Sequence, residues 1–475
     1  MIDLNTLTIQ SAHNALKKGE YTVRELVDAY LAEINNRNPE IHAYLEIFSD
    51  IDEQVARAQE MFERGNATEL TGIPCSIKDN MLFKGHHTSS GSKILENYIA
   101  TYNGTAIQKL IDNGAVILGR TNMDEFAMGS STEHSAYGPT KNPLDPTRVP
   151  GGSSGGAAAS VAMNGALFAL GSDTGGSICQ PASFCGVVGL KPSYGSVSRY
   201  GITALASSLD QIGPFAKTSE DAEIVWKAIS GEDKMDSTTI TDTFRNATHR
   251  ALDAGKKNVI GVPRHLFEKD LNDEVREEFE RSLEKLKKAG YTLVDIELPH
   301  AQYALAAYYI LQPAEASSNL SRFDGVRFGL REEGKNLLEV YMNTRGKGFG
   351  KETRRRIMLG TYVLSHGYYD AYYNKARKLQ KVITDEFKKA FESVDAIITP
   401  TTPSPAFKFG EKTNDPVAMY LSDIFTVPAN IAGIPALTVP AGKTKEGLPL
   451  DIHLMGPLCG ESILFSLGKA FENVE

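Results

Sequence analysis

Thr22, with Glu25 three positions on, opens a run in which Val23, Leu26, Val27, Tyr30, Leu31 and Ile34 recur at helical spacing. That pattern predicts a capped amphipathic helix. A shorter periodic stretch over residues 7–18 precedes it and ends at Gly19, so the chain is expected to open with a helical pair. Helices of this kind ordinarily turn their apolar face to their own core; a surface offered to a partner is the alternative. From about residue 70 the pattern changes to short apolar runs followed by polar turns. Ala115-Val116-Ile117-Leu118 and residues 166–170 read as buried strands with helical segments between them, an alternation that predicts α/β layers around a sheet. Further on, Val259 to Val262 reads as a strand and residues 271–289 as a charged helix with Val275, Phe279, Leu283 and Leu286 inward. Gly290 closes that helix and residues 291–296 return as a strand. Residues 374–393 repeat the helical pattern and lead into Ala396-Ile397-Ile398. Polar residues 231–256 and Pro/Lys/Asn-rich residues 402–416 are expected to be soft joints, neither long enough for a free linker.

The 475 residues, 41% hydrophobic and 23% charged, exclude a disordered tail or a fibre. Fifty basic against fifty-nine acidic residues give a net charge of −9, which argues against a protein whose main work is coating nucleic acid. The four cysteines, Cys75, Cys179, Cys185 and Cys459, lack CxxC spacing, so neither a zinc site nor a disulfide framework is indicated. A reduced, cytoplasmic setting is expected. The N-terminus has no signal-peptide pattern, and no stretch reaches the ~18 apolar residues of a membrane span.

Glycine is ordinary in amount, with 42 residues, and informative in placement. Pro150-Gly151-Gly152-Ser153-Ser154-Gly155-Gly156 runs into three alanines, and Gly171-Ser172-Asp173-Thr174-Gly175-Gly176-Ser177 follows the expected strand at 166–170. Glycines before a serine let backbone N–H groups turn toward a ligand, as in an oxyanion hole or anion nest. Either segment alone is more often a turn. Neither ends in the Gly-Lys-Ser/Thr of a phosphate loop nor fits GxGxxG, and Asp173 would repel a phosphate. Neither follows the GxSxG elbow of a His-assisted hydrolase, and none of the ten histidines lies in either. His134, the nearest in sequence, reads as structural or as a pocket wall. A lysine base is the remaining way to activate a serine; the candidate is Lys78, after the apolar run Gly72-Ile73-Pro74-Cys75-Ser76-Ile77.

Gly-Gly-Ser-Ser-Gly-Gly at 151–156, Asp-Thr-Gly-Gly-Ser at 173–177 and Lys78 together resemble the amidase signature family and its Ser–cis-Ser–Lys triad. The separations, 75 residues from Lys78 to Ser153 and 24 from Ser153 to Ser177, agree with that family. The resemblance implies that Ser177 is the nucleophile, Ser153, after a cis peptide at Gly152–Ser153, the bridging serine and Lys78 the base. It further implies an oxyanion hole from the backbone N–H groups of Thr174, Gly175, Gly176 and Ser177. A single α/β/α domain around a large mixed sheet, with the helical pair attached and the signature core at about 70–215, is the expected architecture.

Within the family, residues 121–131, 207–214 and 315–325 are similar to the branch that serves as the glutamine-hydrolysing A subunits of tRNA-dependent amidotransferases. That resemblance implies B and C partner subunits, with ATP, magnesium and most tRNA contact in the B subunit. It also implies no metal or cofactor in this chain. A glutamine pocket must pair an α-carboxylate and an α-ammonium; by resemblance Arg356, Asp423 and Tyr308 supply it. At least one of Arg354, Arg355 and Arg356 is expected on a basic surface. The chain departs from the family at Cys179, where arginine is usual, at Ala157, where serine is common, and at His134, where asparagine is common. Cys179 is expected to be a buried packing residue. Two other readings stay open: a stand-alone amidase on aryl or aliphatic amides, and a catalytically silent assembly subunit.

Overall fold

The computed structural model describes residues 2–267 and 271–474. Eleven strands occur in chain order: β1 (Tyr44–Ile47), β2 (Pro74–Lys78), β3 (Val116–Thr121), β4 (Phe168–Asp173), β5 (Val188–Lys191), β6 (Gln211–Ala216), β7 (Val259–Val262), β8 (Thr292–Asp295), β9 (Ala396–Pro400), β10 (Ala436–Lys443) and β11 (Pro449–Met455). They form one sheet in the order β1-β3-β2-β4-β6-β5-β10-β11-β9-β7-β8. The sheet is mixed: β3-β2-β4 and β9-β7-β8 are parallel, and the strands between β4 and β9 pair antiparallel. With helices on its flanks this is the expected α/β class. The parallel trio matters most for the site. Because β2, β3 and β4 run the same way, their carboxyl ends bring Lys78, Thr121 and Asp173 to one edge of the sheet, where α/β folds commonly place their ligands.

The opening helices, Ile9–Lys18 and Val23–Ile41, bury Ile9, Ala12, Leu16, Val23, Leu26, Val27, Tyr30 and Ile34, so their apolar faces meet the protein's own core. Thr22 and Glu25 form the expected reciprocal cap: Glu25 N–H donates to Thr22 Oγ1 at 3.1 Å and Thr22 N–H to Glu25 Oε2 at 2.7 Å. The helix Gly155–Ala162 is buried along its length apart from a partly exposed Ala162, and a side chain on Gly156 would strike the backbone of Asn122. The glycine-alanine run is therefore a close helix-to-strand approach, not a linker.

The strands expected at 115–118 and 166–170 lie at Val116–Thr121 and Phe168–Asp173, extending past the apolar residues into Arg120, Thr121, Ser172 and Asp173, all buried. Hydrophobicity stops marking a strand where its end is built into a polar site. The two soft joints are also corrected. Residues 231–256 contain the helix Asp242–Ala254, capped by Thr241, which accepts from Phe244 N–H. Within 402–416, Ala406 and Phe407 pack with Val149 and Phe184.

Candidate active site

Lys78 ends β2 and is fully buried. Its Nζ lies 2.7 Å from Ser153 Oγ and 2.7 Å from Ser154 Oγ, 2.9 Å from Ser172 Oγ and 3.2 Å from the Ser172 carbonyl. Among the described residues no carboxylate is within ion-pair distance of it. Burial pulls the Lys78 ammonium down to about pH 7, against the upward pull of Asp173, Asp124 and Asp210. Ser154 O–H donates to the Ser172 carbonyl at 2.9 Å, and Asn80 Nδ2 donates to Ser172 Oγ at 3.0 Å. These contacts fix the amine's surroundings.

The Gly152–Ser153 peptide is cis, and Gly152 N–H donates to Gln180 Oε1 at 2.8 Å. Below this turn lies Asp124, whose carboxylate accepts the N–H groups of Thr132 at 2.9 Å and His134 at 3.0 Å. Asp173, at the end of β4, organises the nucleophile loop in the same way. Its carboxylate accepts from Gly176 N–H at 2.7 Å, Ile178 N–H at 2.6 Å and Asn430 Nδ2 at 2.8 Å. Gly176 thus gives its N–H to Asp173, which corrects its expected place among the oxyanion donors. Thr174, Gly175 and Ser177 have no backbone N–H partner among the described residues. Ser177 is 8% exposed, whereas Ser153 and Ser154 are fully enclosed, and no hydrogen bond joins Ser177 to Ser153 among the described residues.

Tyr308 and the Asp423 turn reach this loop, while the hydrogen bonds of Arg356 lie apart from it, on Glu352 and Gln312. The Tyr308 ring is the nearest neighbour a side chain on Gly175 would meet, at 2.6 Å. Thr426 O–H lies 3.0 Å from the Gly175 carbonyl and 3.1 Å from that of Asp423, tying the loop to the Asp423 turn. Asp423 accepts Ser130 O–H at 2.6 Å on Oδ2, and its buried Oδ1 has no partner among the described residues. Burial raises the Asp423 carboxyl to about pH 7, with Ser130 and Arg356 opposing. Arg356 is 3% exposed and lines a cavity of about 130 Å³ with Gly129, His134, Glu352, Lys412 and Tyr420. His134 lines this cavity, which does not include Ser177, Tyr308 or Asp423. Arg354 lies on the surface and Arg355 half-exposed beside Glu352. Cys179 is buried, its thiol pushed up by burial and by Asp173, and Ala157 is fully buried.

Sequence reasoning missed Ser154, Ser172, Asn80, Asp124, Gln180, Tyr309, Thr426 and Asn430. Ser154, Ser172 and Asp173 lay inside the singled-out segments, where only the burial of their side chains gives them away. Thr426 and Asn430 sit some 250 residues from the loop they hold, and nothing local marks them. Among the described residues no group of three or more His, Cys, Asp or Glu could hold a metal, and no helix is long and apolar enough to cross a membrane.

A family model described as Amidase matches residues 25–465. The A subunit of glutamyl-tRNA(Gln) amidotransferase from Caldanaerobacter subterraneus subsp. tengcongensis is 50% identical over 473 residues, which cover 99% of this chain and 97% of that protein. The crystal structure of the A subunit of glutamyl-tRNA(Gln) amidotransferase from Thermotoga maritima superposes with a TM-score of 0.80 at 41% identity, covering 99% of this chain and 95% of that one. The native peptide amidase of Stenotrophomonas maltophilia superposes at 0.81 with 28% identity, covering 98% and 96%.

Proposed function

The chain belongs to the amidase family, and from that premise we propose that it is the glutaminase subunit of a tRNA-dependent amidotransferase. The observation that carries this reading is a buried, depressed lysine 2.7 Å from Ser153 Oγ and 2.9 Å from Ser172 Oγ, at the root of the Ser177 loop. Tyr308 lies over Gly175 of that loop, and Thr426 O–H reaches the main-chain carbonyls of Gly175 and Asp423. Ser177 attacks the side-chain amide carbon, its proton passing through Ser153 to neutral Lys78. The N–H groups of Thr174, Gly175 and Ser177 receive the oxyanion. The C–N bond breaks as the proton returns along the relay to the leaving nitrogen, giving ammonia and a γ-glutamyl ester on Ser177. Water then hydrolyses the ester, and glutamate leaves.

Arg356 pairs with the α-carboxylate of glutamine, Asp423 with its α-ammonium, and Tyr308 walls the chain between them. Ammonia passes to a partner B subunit that amidates Glu-tRNA(Gln), and Asp-tRNA(Asn) where that substrate is served. That partner uses ATP and magnesium, while a small C subunit holds the pair. The reading makes the chain one cytoplasmic domain, since Lys78, Ser177, Arg356 and Asp423 all serve one pocket. Ammonia release from glutamine and from benzamide, measured with the chain alone and with its co-expressed partners and Glu-tRNA, tests it. Partner-dependent release from glutamine is expected. Turnover of benzamide alone indicates a stand-alone amidase, and silence in an intact assembly a non-catalytic role.

Asp423 must be ionised to hold the ammonium, so KM for glutamine rises as pH falls through about 7, and Asp423→Asn abolishes that dependence; a pH-independent KM in the unaltered protein contradicts the assignment. Gly176 has φ +128°, and a side chain there would collide with Thr426 Oγ1. Gly176→Ala therefore displaces Ser177 and lowers kcat about 100-fold, read from steady-state ammonia release with folding checked by thermal melting.

A further inference from the structure

A guanidinium can take a carboxylate through two hydrogens side-on, from Nε and one Nη, or end-on, from both Nη groups. In this protein the Nε hydrogen that the first mode needs is already taken, and so is one hydrogen of Nη1. Arg356 Nε donates to Glu352 Oε1 at 2.9 Å and Nη1 to Gln312 Oε1 at 2.9 Å. Glu352 precedes Arg356 by four residues on the helix Lys351–Val363, so the two share a helix face. Both acceptors are buried, Gln312 fully and Glu352 6% exposed. Glu352 also accepts Tyr420 O–H at 3.0 Å and a hydrogen bond from Arg355. Burial would raise its carboxyl, but Arg356 and Arg355 hold it below the ordinary range, so it stays an anion. The guanidinium carbon lies 5.3 Å from the Tyr309 ring centre and 5.4 Å from that of Tyr420, which leaves the group little freedom to turn.

We propose that Glu352 and Gln312 are positioning residues: Glu352 takes the Nε hydrogen that side-on binding needs, Gln312 steadies the fork at Nη1, and the carboxylate of the substrate is met by the Nη groups. This rests on the reading in which Arg356 pairs with the α-carboxylate of glutamine. Nη1 keeps one hydrogen and Nη2 has no acceptor among the described residues, so both Nη groups still have a hydrogen to donate. Fixing the plane of the fork fixes where the bound carboxylate sits, and with it the reach of the side-chain amide toward Ser177. Neither residue touches the reacting atoms. Their effect is expected on substrate binding and not on the chemical step.

The test compares glutamine with its α-methyl ester, which lacks the carboxylate, as substrates of the full chain with its co-expressed partner subunits. Glu352→Ala is expected to raise KM for glutamine about tenfold or more, the scale of a lost hydrogen bond to a charged group. It is expected to change kcat less than about threefold and to leave KM for the ester unmoved. Glu352→Gln, which keeps an acceptor for Nε, restores KM for glutamine. An unchanged KM in Glu352→Ala, an equal rise for the ester, or failure of the glutamine variant to rescue overturns the proposal. Gln312→Met, of similar volume, gives a smaller rise with the same ester insensitivity and serves if Glu352→Ala does not fold; a rise shared by the ester overturns the proposal there too. Arg356→Lys separates the two levels. If it leaves KM for glutamine unchanged, the pocket reading itself fails; if it raises KM while Glu352→Ala does not, only the clamp fails.

Discussion

Ser177→Ala is expected to lower ammonia release from glutamine on the order of 10⁶-fold, the scale seen when a serine hydrolase loses its nucleophile. The expectation rests on the lack of any substitute. Ser153 and Ser154 are fully enclosed and both contact Lys78, so neither hydroxyl reaches a substrate. Cys179, two residues on, is buried with its thiol pushed up by burial and by Asp173; a thiol in that state is a poor nucleophile. The loop that carries Ser177 keeps its form without the hydroxyl, because the Asp173 carboxylate and Thr426 hold its backbone. The variant is therefore expected to fold and melt like the parent, which makes the loss of activity a statement about chemistry. Retention of more than about a thousandth of the parent rate, in a preparation free of other glutaminases, removes Ser177 from its role.

Lys78→Ala is expected to cost about 10²–10⁴-fold in kcat, the range for a general base. Lys78→Arg should not rescue it, since a guanidinium stays charged and accepts no proton. The pH profile supplies an independent check. An exposed lysine holds its proton to about pH 10.4, whereas burial brings Lys78 to about 7. Below that point the folded protein carries an ammonium that cannot take the proton of Ser153. Hence kcat rises with pH through about 7 and then levels. In kcat/KM the ionisation of Asp423 acts in the same direction, so its fall on the acid side is steeper than that of kcat. Stability has a matching sign: between about pH 7 and 10.4 the unfolded chain holds the extra proton, so folding is favoured as pH rises across that window. A kcat that is flat from about pH 5.5 to 9, or a Lys78→Ala loss below about tenfold, contradicts the assignment.

The parts of the site that could be read from the chain were those written in consecutive residues. Gly-rich turns before Ser153 and Ser177 are local events, and the amphipathic pair at the N-terminus repeats often enough to show its buried face. The ends of β3 and β4 were harder, since Arg120, Thr121, Ser172 and Asp173 are polar yet buried and break the apolar pattern where the site begins. Asp173 is legible as an acid unsuited to phosphate and as the head of the 173–177 motif; its role in drawing Gly176 and Ile178 N–H inward depends on the turn being folded. Thr426, Asn430 and Gln312 act on residues distant in sequence, and Glu352 acts one helical turn away on another side chain; such pairings are set by how the helices pack once the chain has folded. The polar stretch at 231–256 reads as a joint for the opposite reason: its exposed helix, Asp242–Ala254, needs no buried face, and a capped helix rich in Thr, Asp and Arg carries no apolar stripe.

The mechanism stands or falls on a γ-glutamyl ester formed on Ser177, and trapping that ester is the decisive experiment. Glutamine is mixed with the full chain and its partner subunits, the reaction is quenched in acid during turnover, and peptides are mapped by mass spectrometry. A γ-glutamyl adduct is expected on the peptide carrying Ser177, absent from Ser177→Ala and discharged by hydroxylamine as the hydroxamate. Ammonia release accompanied by an adduct on Cys179 or Ser153, or an adduct that survives in Ser177→Ala, would contradict the mechanism.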